Sequence, residues 1–224
     1  MMAPLVRFCL PMSSLGHSLI KLQKFHADRN FADNVALFVK SPAAVGGNQY
    51  LSSFGNVFNE LRANNPEALE TLARDFPWPG VMNDEPVTTY TPVMFEQMGR
   101  IFCQIVYRVF EKTAILSKAQ WNALDAMEKV ANEHCIELHP KPGDMQFFNN
   151  LGLLHARRAW IDRPGKERHY YRIGFRDPEL AWERPSQYAW LFNDRLEVPK
   201  SDQTIPFTDF DPYGATALGG AGHG

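Results

Sequence analysis

The sequence predicts a mainly β barrel or sandwich with flanking helices, an α+β fold. Three observations predict it: several short segments with strand alternation, prolines and glycines between them, and one long amphipathic helix. The chain has 224 residues, of which 45% are hydrophobic and 21% are charged. A domain of this length can bury roughly 70% of the surface that its unfolded chain exposes. We therefore expect a globular domain that needs no staples to fold.

The charge balance and the cysteines limit the classes of function. Lys and Arg number 23 and Asp and Glu number 25, a formal net charge of -2. Nucleic-acid binders usually carry a basic excess, so we expect no nucleic-acid partner. Cys9, Cys103 and Cys135 are far apart and odd in number, which favours free thiols in a reducing, cytoplasmic setting. We expect no membrane span, and no signal peptide, because Arg7 interrupts the first apolar run.

Strands and helices are predicted from periodicity and capping signals. Residues 35–39 alternate in the way of a half-buried strand, and Ser41–Gly47 reads as a turn with glycines available for positive φ. A helix is predicted over Phe54–Ala63. A second helix should begin with Asn65 as N-cap and Pro66 at the first helical position, where its missing N–H is harmless.

The second half of the chain has one strong helix signal. Residues 76–99 are rich in proline, which favours loops and edge strands. Ser117 and Gln120 form a capping-box pattern, and the helix that they begin should pack on the outside of a sheet. Further strands are predicted over Ile136–Leu138, Met145–Phe148 and Tyr170–Phe175. We divide the chain into a short N-terminal segment (1–24), a main domain (25–212) and a Gly/Ala-rich tail (213–224) expected to be disordered.

Two histidines and a carboxylate indicate metal chemistry. On a strand, residues i and i+2 point to the same face, so His26 and Asp28 can reach one metal ion. His155 lies far along the chain, and Arg168 and Arg172 follow on the next candidate strand. Two histidines and one carboxylate form the facial triad of non-haem Fe(II) oxygenases. An arginine on a neighbouring strand can pair in bidentate fashion with a carboxylate of a co-substrate.

From about Phe25 to Trp182 the chain resembles the Fe(II)- and 2-oxoglutarate-dependent oxygenases of the taurine dioxygenase and γ-butyrobetaine hydroxylase type. The motifs follow the order found in that family: FHAD at 25–28, GGNQYLSS at 46–53, PGDMQFFNN at 142–150, HARRAW at 155–160 and RHYYRIGFRD at 168–177. No single motif is specific, but the ordered set is. The resemblance implies a double-stranded β-helix, or jelly roll, with helices on one side.

The resemblance also implies roles for individual residues. His26, Asp28 and His155 would be the Fe(II) ligands. Arg168 would hold the C5 carboxylate of 2-oxoglutarate. The remaining implied residues surround these groups: Ser52, or alternatively Ser53, as a hydroxyl on the same carboxylate, Arg172 facing a substrate anion or the co-substrate, and Asn150 and Arg157 bracing the second histidine.

The implied activity is oxidation of an unactivated C–H bond of a small molecule, with O2 consumed and succinate and CO2 released. Hydroxylation, desaturation and ring closure all remain open, and Arg172 suggests an anionic group on the substrate. The H-x-D motif starts at residue 26, much earlier than in the family, so we expect early strands to be missing. A missing strand would leave an exposed sheet edge, which favours pairing into a homodimer.

Three alternatives compete with this interpretation. The first is a non-catalytic or truncated member of the same fold that serves as a binding or interaction module. The second is a zinc site at His134, Cys135 and His139, which lacks a second ligand cluster at structural-zinc spacing. The third is a cupin-type metal site, which would use several histidines and a glutamate on adjacent strands.

Overall fold

The framework of the protein, seen in a computed structural model, is a pair of four-stranded antiparallel sheets. The structure describes residues 7–9, 22–29, 32–82, 85–111, 115–177 and 179–188. The predicted tail at 213–224 lies outside the described residues, as does most of segment 1–24. Among the described residues, no helix has the length and apolar character needed to cross a membrane.

The described ranges contain fourteen strands, four α-helices and a 3-10 turn at Ser186–Tyr188. The strands are β1 (Arg7–Cys9), β2 (Gln23–His26), β3 (Asn34–Ser41), β4 (Val45–Gly46), β5 (Gln49–Ser53), β6 (Phe76–Met82), β7 (Glu85–Thr91), β8 (Met94–Gln97), β9 (Arg100–Cys103), β10 (Cys135–Leu138), β11 (Met145–Asn149), β12 (Leu153–Arg157), β13 (Trp160–Ile161) and β14 (His169–Phe175). The helices are α1 (Phe54–Asn64), α2 (Pro66–Leu72), α3 (Arg108–Glu111) and α4 (Lys118–Glu133).

The two main sheets face each other across an inner space. The first sheet has the strand order β1-β14-β3-β11, and the second has the order β10-β5-β12-β2. Gln146 on β11 donates from Nε2 to Oε1 of Gln49 on β5 at 2.9 Å, which joins the inner faces of the two sheets. Three two-stranded units, β13-β4, β6-β7 and β8-β9, complete the β-structure of the described residues. The predicted mainly-β fold with flanking helices is confirmed.

Helices cover the outer face of the second sheet. Leu154 and Ala156 of β12 lie in one apolar cluster with buried residues of α1, α2 and α4. The large side chains that the helices bury in this cluster include Phe54, Leu61, Leu72, Phe110, Leu124 and Met127. Burying a large apolar side chain contributes roughly 1.5–3 kcal/mol, so this layer fixes the second sheet from behind.

Side chains cap the helices as the sequence predicts. Ser117 Oγ accepts from the Gln120 N–H, and the Gln120 side chain accepts from the Ser117 N–H, which completes the capping box. Asn65 Oδ1 accepts from the Ala68 N–H at 3.2 Å, with Pro66 at the first helical position of α2. A cap of this kind contributes about 1 kcal/mol.

The proline-rich segment 76–99 is more regular than predicted, because it forms the hairpins β6-β7 and β8-β9. Pro77 and Pro79 are two residues apart on β6, so their missing N–H groups share one side of the strand. The intervening Trp78 is buried and donates from Nε1 to the Thr91 carbonyl at 2.9 Å. The prolines therefore interrupt one side of β6 while the other side pairs with β7.

Candidate metal centre

His26 and His155 are brought together by direct strand pairing. They oppose each other in the antiparallel register of β2 and β12, and their ring centroids are 4.0 Å apart. Asp28 follows two residues after His26, beyond the backbone bridge that Ala27 makes with Ile105. The ligand atoms of His26, Asp28 and His155 all lie within 4.8 Å of one another. The structure therefore joins the three predicted ligands into one cluster.

The hydrogen bonds of His26 place its ring proton on Nδ1 and leave Nε2 unprotonated. Its Nδ1–H donates to the Lys24 carbonyl at 2.8 Å. Nε2 accepts from the Gln23 amide at 2.9 Å and lies 3.8 Å from Oδ1 of Asp28. A hydrogen bond from the second ring nitrogen to a main-chain carbonyl is the usual way to orient a metal-binding imidazole.

Burial keeps both imidazoles neutral. Burial, followed by the neighbouring His26, lowers the pKa of His155 to about 3. Burial is also the largest cause of the lowered pKa of His26, although Asp28 acts in the opposite direction. Neutral imidazole is the form that binds a metal ion, so neither residue must lose a proton at neutral pH.

The Asp28 carboxylate is fully buried and oriented by an arginine. Its Oδ2 accepts from Nη1 of Arg172 at 2.9 Å, across the space between the two sheets. Its Oδ1 lies 3.8 Å from Nε2 of His26 and 4.0 Å from Nε2 of His155. One carboxylate oxygen thus pairs with the arginine while the other faces both imidazoles.

Asn150 holds the main chain of Asp28. Its Oδ1 accepts from the Asp28 N–H at 2.8 Å, and its Nδ2 donates to the carbonyls of Asp28 and Ala32 at 2.8 and 2.9 Å. Asn150 was predicted to brace His155, and the hydrogen bonds that the structure gives its side chain go to the main chain of Asp28 and Ala32. Asn150 lies between β11 and β12, close to His155 in sequence, but its amide meets the turn that carries the carboxylate.

Arg157, Trp160 and Arg168 form a second buried group, the guanidinium–indole cluster. The guanidinium carbons of Arg157 and Arg168 lie 3.8 and 5.1 Å from the centroid of the Trp160 ring. Arg168 also lies over the Tyr170 ring at 3.8 Å. Arg157 was predicted to brace His155, and the structure places its guanidinium over the Trp160 indole. His155 and Arg157 are two residues apart on β12, so they share one face of the strand.

The glycine pair at 46–47 makes room for this cluster. Both glycines have a φ of +74°, which other residues rarely adopt. A Cβ on Gly47 would lie 3.3 Å from the Trp160 Cβ and 3.7 Å from the Arg168 Cδ. The predicted glycine turn therefore permits the close packing of Trp160 and Arg168.

Ser52 lies on the other face of its sheet. It opposes Leu154 in the register of β5 and β12, and Leu154 packs against the helices. His155 opposes Leu51 instead. Because side chains alternate along a strand, Ser52 faces away from the group around His155, whereas the alternative Ser53 shares the face of Leu51. The contact of either hydroxyl with the co-substrate stays a prediction.

Gln49 is an inward-facing residue that the sequence prediction missed. It opposes Arg157 on the neighbouring strand and is 9% exposed. Strand alternation from Leu51, the partner of His155, would have identified it, because residues 49 and 51 share a face.

The donor set of the cluster fits Fe(II). Two neutral imidazoles and one carboxylate are the facial triad, which leaves coordination positions open for other ligands. Among the described residues, His26, Asp28 and His155 form the group with metal-ligand proximity. In the described part of the chain, His134, Cys135 and His139 are not brought together into a group of this kind.

The two facing sheets, with an inward His-x-Asp and a second histidine on the adjacent strand, define the class of jelly-roll proteins with a mononuclear facial-triad centre. The profile of the taurine catabolism dioxygenase TauD, TfdA family matches residues 14–173. The chain belongs to this family.

Two curated relatives and two solved structures illustrate the similarity. Taurine hydroxylase-like protein SAT17 of Stachybotrys chartarum is 30% identical over 201 residues, which cover 82% of this chain and 51% of the relative. Uridine-5'-phosphate dioxygenase of a Streptomyces species is 26% identical over 166 residues, 65% of this chain and 58% of the relative. The chain thus spans a little over half the length of these relatives.

The solved structures support the fold. Asparagine oxygenase, in complex with Fe(II), 3-hydroxyasparagine and succinate, aligns with a TM-score of 0.59 at 14% identity, over 76% of this chain and 56% of that one. The non-haem iron oxygenase OrfP, with Fe and α-ketoglutaric acid, aligns with a TM-score of 0.52 at 17% identity, over 78% and 57%. The implied jelly-roll fold is confirmed.

Proposed function

We propose that this protein is a non-haem oxygenase that uses Fe(II), 2-oxoglutarate and O2 to oxidise a C–H bond of a small molecule. The observation that carries the proposal is the cluster of His26, Asp28 and His155, whose ligand atoms lie within 4.8 Å of one another. Its donor set leaves open positions for a chelating co-substrate and for O2. Family membership supports the same chemistry.

Arg168 supports the choice of 2-oxoglutarate as co-substrate. It is 6% exposed, its Nε has no hydrogen-bond partner in the described part of the chain, and its main-chain N–H donates to Asp162 Oδ1 at 2.7 Å. A buried guanidinium is costly without an anion, and it matches a carboxylate in bidentate geometry. We propose that Arg168 binds the C5 carboxylate.

The protein would contribute ligand geometry and a water-poor cavity. Fe(II), when bound, lets 2-oxoglutarate and O2 react to supply the oxidising power, with release of succinate and CO2. His26 and His155 would hold the metal through ring nitrogens that carry no proton in the neutral imidazole. Arg172 orients the Asp28 carboxylate, Asn150 holds the main chain of Asp28, and the buried inner faces of the sheets limit the access of water.

A small polar metabolite is the proposed substrate class. The names of uridine-5'-phosphate dioxygenase and asparagine oxygenase designate small polar molecules, which favours the same class here. Arg172 is 19% exposed at its side chain while it pairs with Asp28, so its guanidinium could also meet an anionic group of a substrate. Hydroxylation, desaturation and ring closure use the same site.

Anaerobic titration with Fe(II) and 2-oxoglutarate tests the proposal. The wild type should develop the weak visible charge-transfer band of the chelate, and O2 with a substrate should then yield succinate. His155→Ala should lose both. His134→Ala removes an exposed imidazole at the end of α4 and should keep both. A folded wild-type protein that gives no band would favour the non-catalytic binding module.

A further inference from the structure

The guanidinium–indole cluster brings two cations together, with Arg168 buried and Arg157 partly buried. In the described part of the chain neither Arg157 nor Arg168 forms an ion pair within 4 Å, although the Tyr170 hydroxyl and the Asp162 carboxylate both act on Arg168. Two like charges in one buried group are unfavourable unless a ligand of opposite charge binds them.

Three N–H donors of this cluster are buried and unused. Arg157 Nη1, Arg168 Nε and Trp160 Nε1 have no hydrogen-bond partner among the described residues. Trp160 is 1% exposed and Arg168 is 6% exposed, so water does not readily replace the missing acceptor. Since each unpaired buried donor costs roughly 1–3 kcal/mol, this concentration of donors indicates a site for an acceptor with several lone pairs.

The cluster lies at a suitable separation from the metal centre. Arg157 follows His155 by two residues on β12, on the same face, and this corresponds to a rise of about 6.6 Å. A five-carbon dicarboxylate that chelates a metal at its 2-oxo acid end extends over a comparable length. Arg157 is therefore positioned to meet the distal carboxylate of the same molecule that Arg168 would bind.

We propose that Arg157 and the indole N–H of Trp160 bind the distal carboxylate of 2-oxoglutarate together with Arg168. This inference rests on the proposed function and deepens it, because it assigns two further binding residues to the co-substrate. The two guanidiniums neutralise the carboxylate, and the indole both separates them and donates a hydrogen bond. The site thereby selects a 2-oxo acid with a second carboxylate at its far end.

Binding of the co-substrate tests the inference without measuring turnover. The charge-transfer band gives the dissociation constant of 2-oxoglutarate in the anaerobic Fe(II) protein. Arg157→Met and Trp160→Phe should each weaken this binding, by roughly 10- to 100-fold for the arginine, which makes a charged hydrogen bond, and by less for the indole. Arg158→Met is the matched control, because Arg158 is exposed and lies over Tyr50 on the helix side of the sheet. It should leave binding unchanged.

A co-substrate analogue separates direct contact from structural damage. 2-Oxopentanoate keeps the chelating end and lacks the distal carboxylate, so Arg157→Met should not weaken its binding. Equal losses of affinity for 2-oxoglutarate and 2-oxopentanoate in Arg157→Met would overturn the inference. So would an unchanged dissociation constant for 2-oxoglutarate in both Arg157→Met and Trp160→Phe, provided that the wild type shows the band. If Arg157→Met fails to fold, Arg157→Lys and Trp160→Phe provide the same comparison. A wild type without any band would contradict the proposed function itself.

Discussion

Arg172 donates to one oxygen of the Asp28 carboxylate at 2.9 Å, and the other oxygen faces both histidines. The ion pair therefore connects the first sheet to a metal ligand carried by the second. It sets the rotation of the carboxylate and offsets part of the cost of its burial.

Loss of this arginine should weaken metal binding. Arg172→Met should lower the affinity for Fe(II) by roughly 10- to 100-fold, because partners that orient ligands have effects of that size. Anaerobic calorimetry with Fe(II) measures the change. Arg176→Met is the control, since Arg176 pairs with Asp33 at 3.4 Å and not with a ligand. Equal Fe(II) affinities in Arg172→Met and the wild type would contradict the orienting role.

Removing the Asn150 amide should destabilise the fold. Asn150→Ala leaves three main-chain groups of Asp28 and Ala32 without their hydrogen bonds, and each buried loss costs roughly 1–3 kcal/mol. We expect the free energy of unfolding to fall by about 3 kcal/mol or more in urea denaturation. Asn132→Ala, at an exposed position on α4, should change it by less than about 0.5 kcal/mol. Similar losses of unfolding free energy in the two variants would contradict this stabilising role of Asn150.

Substitution of two glycines with the same φ distinguishes the cost of backbone strain from the cost of a steric collision. Gly46 and Gly165 both have a φ of +74°, but a Cβ on Gly46 would collide with the Ala159 carbonyl, whereas Gly165 has nothing within 4 Å. Gly165→Ala should cost about 1 kcal/mol from the backbone alone. Gly46→Ala should cost a further 1–3 kcal/mol or so, because it also overpacks the turn. Thermal unfolding of the two variants measures the difference, and equal costs would contradict it.

Glu128 should give the protein a measurable pH dependence. Burial raises its pKa above 4.5, although hydrogen bonds from Asn132 and the Phe25 N–H act in the opposite direction. Between the unfolded and folded pKa values the folded protein binds more protons, so this group stabilises the fold increasingly as pH falls through that window. The unfolding free energy of the wild type should therefore rise relative to Glu128→Gln between pH 7 and pH 4.5. Urea titrations at several pH values test this. A stability advantage of the wild type over Glu128→Gln that decreases as the pH falls would contradict the prediction.

The expected homodimer leads to a prediction about β11, the terminal strand of the first sheet among the described strands. Met145 and Phe147 are 57% and 63% exposed there, and an apolar edge favours pairing with another chain. Phe147→Lys should reduce self-association in sedimentation velocity over a range of concentrations. Met98→Lys alters a more exposed methionine in the β8-β9 turn and should not. Monomeric wild-type protein throughout would contradict the expectation.

Local signals predicted the parts of the fold that depend on neighbouring residues. The Ser117–Gln120 capping box and the Asn65–Pro66 pair define helix starts, because their hydrogen bonds lie within one turn. The β6-β7 hairpin was harder to predict, since pairing of Pro77 with Tyr90 and of Pro79 with Thr88 depends on which side of the strand each proline faces.

The site residues also divide into those that local sequence signals predict and those that depend on long-range strand pairing. The His26–Asp28 spacing, together with the ordered family motifs that include His155, predicted a metal cluster, and the structure brings these three residues together. Ser52 was assigned by counting from the glycine turn, and a shift of one position moves a side chain to the other face of the sheet. The register of β5 against β12 selects Gln49 and Leu51 as the inward residues. That register depends on long-range pairing, which the sequence does not display.

The ion pair between Arg172 and Asp28 also has a consequence for the order in which the protein is made. Asp28 is followed 122 positions later by Asn150, which holds its main chain, and 144 positions later by Arg172, which pairs with its carboxylate. A ribosome synthesises the ligand long before the groups that orient it. The carboxylate can therefore reach the orientation seen here only after the chain has been synthesised through Arg172, so the ligand cluster is completed late in synthesis.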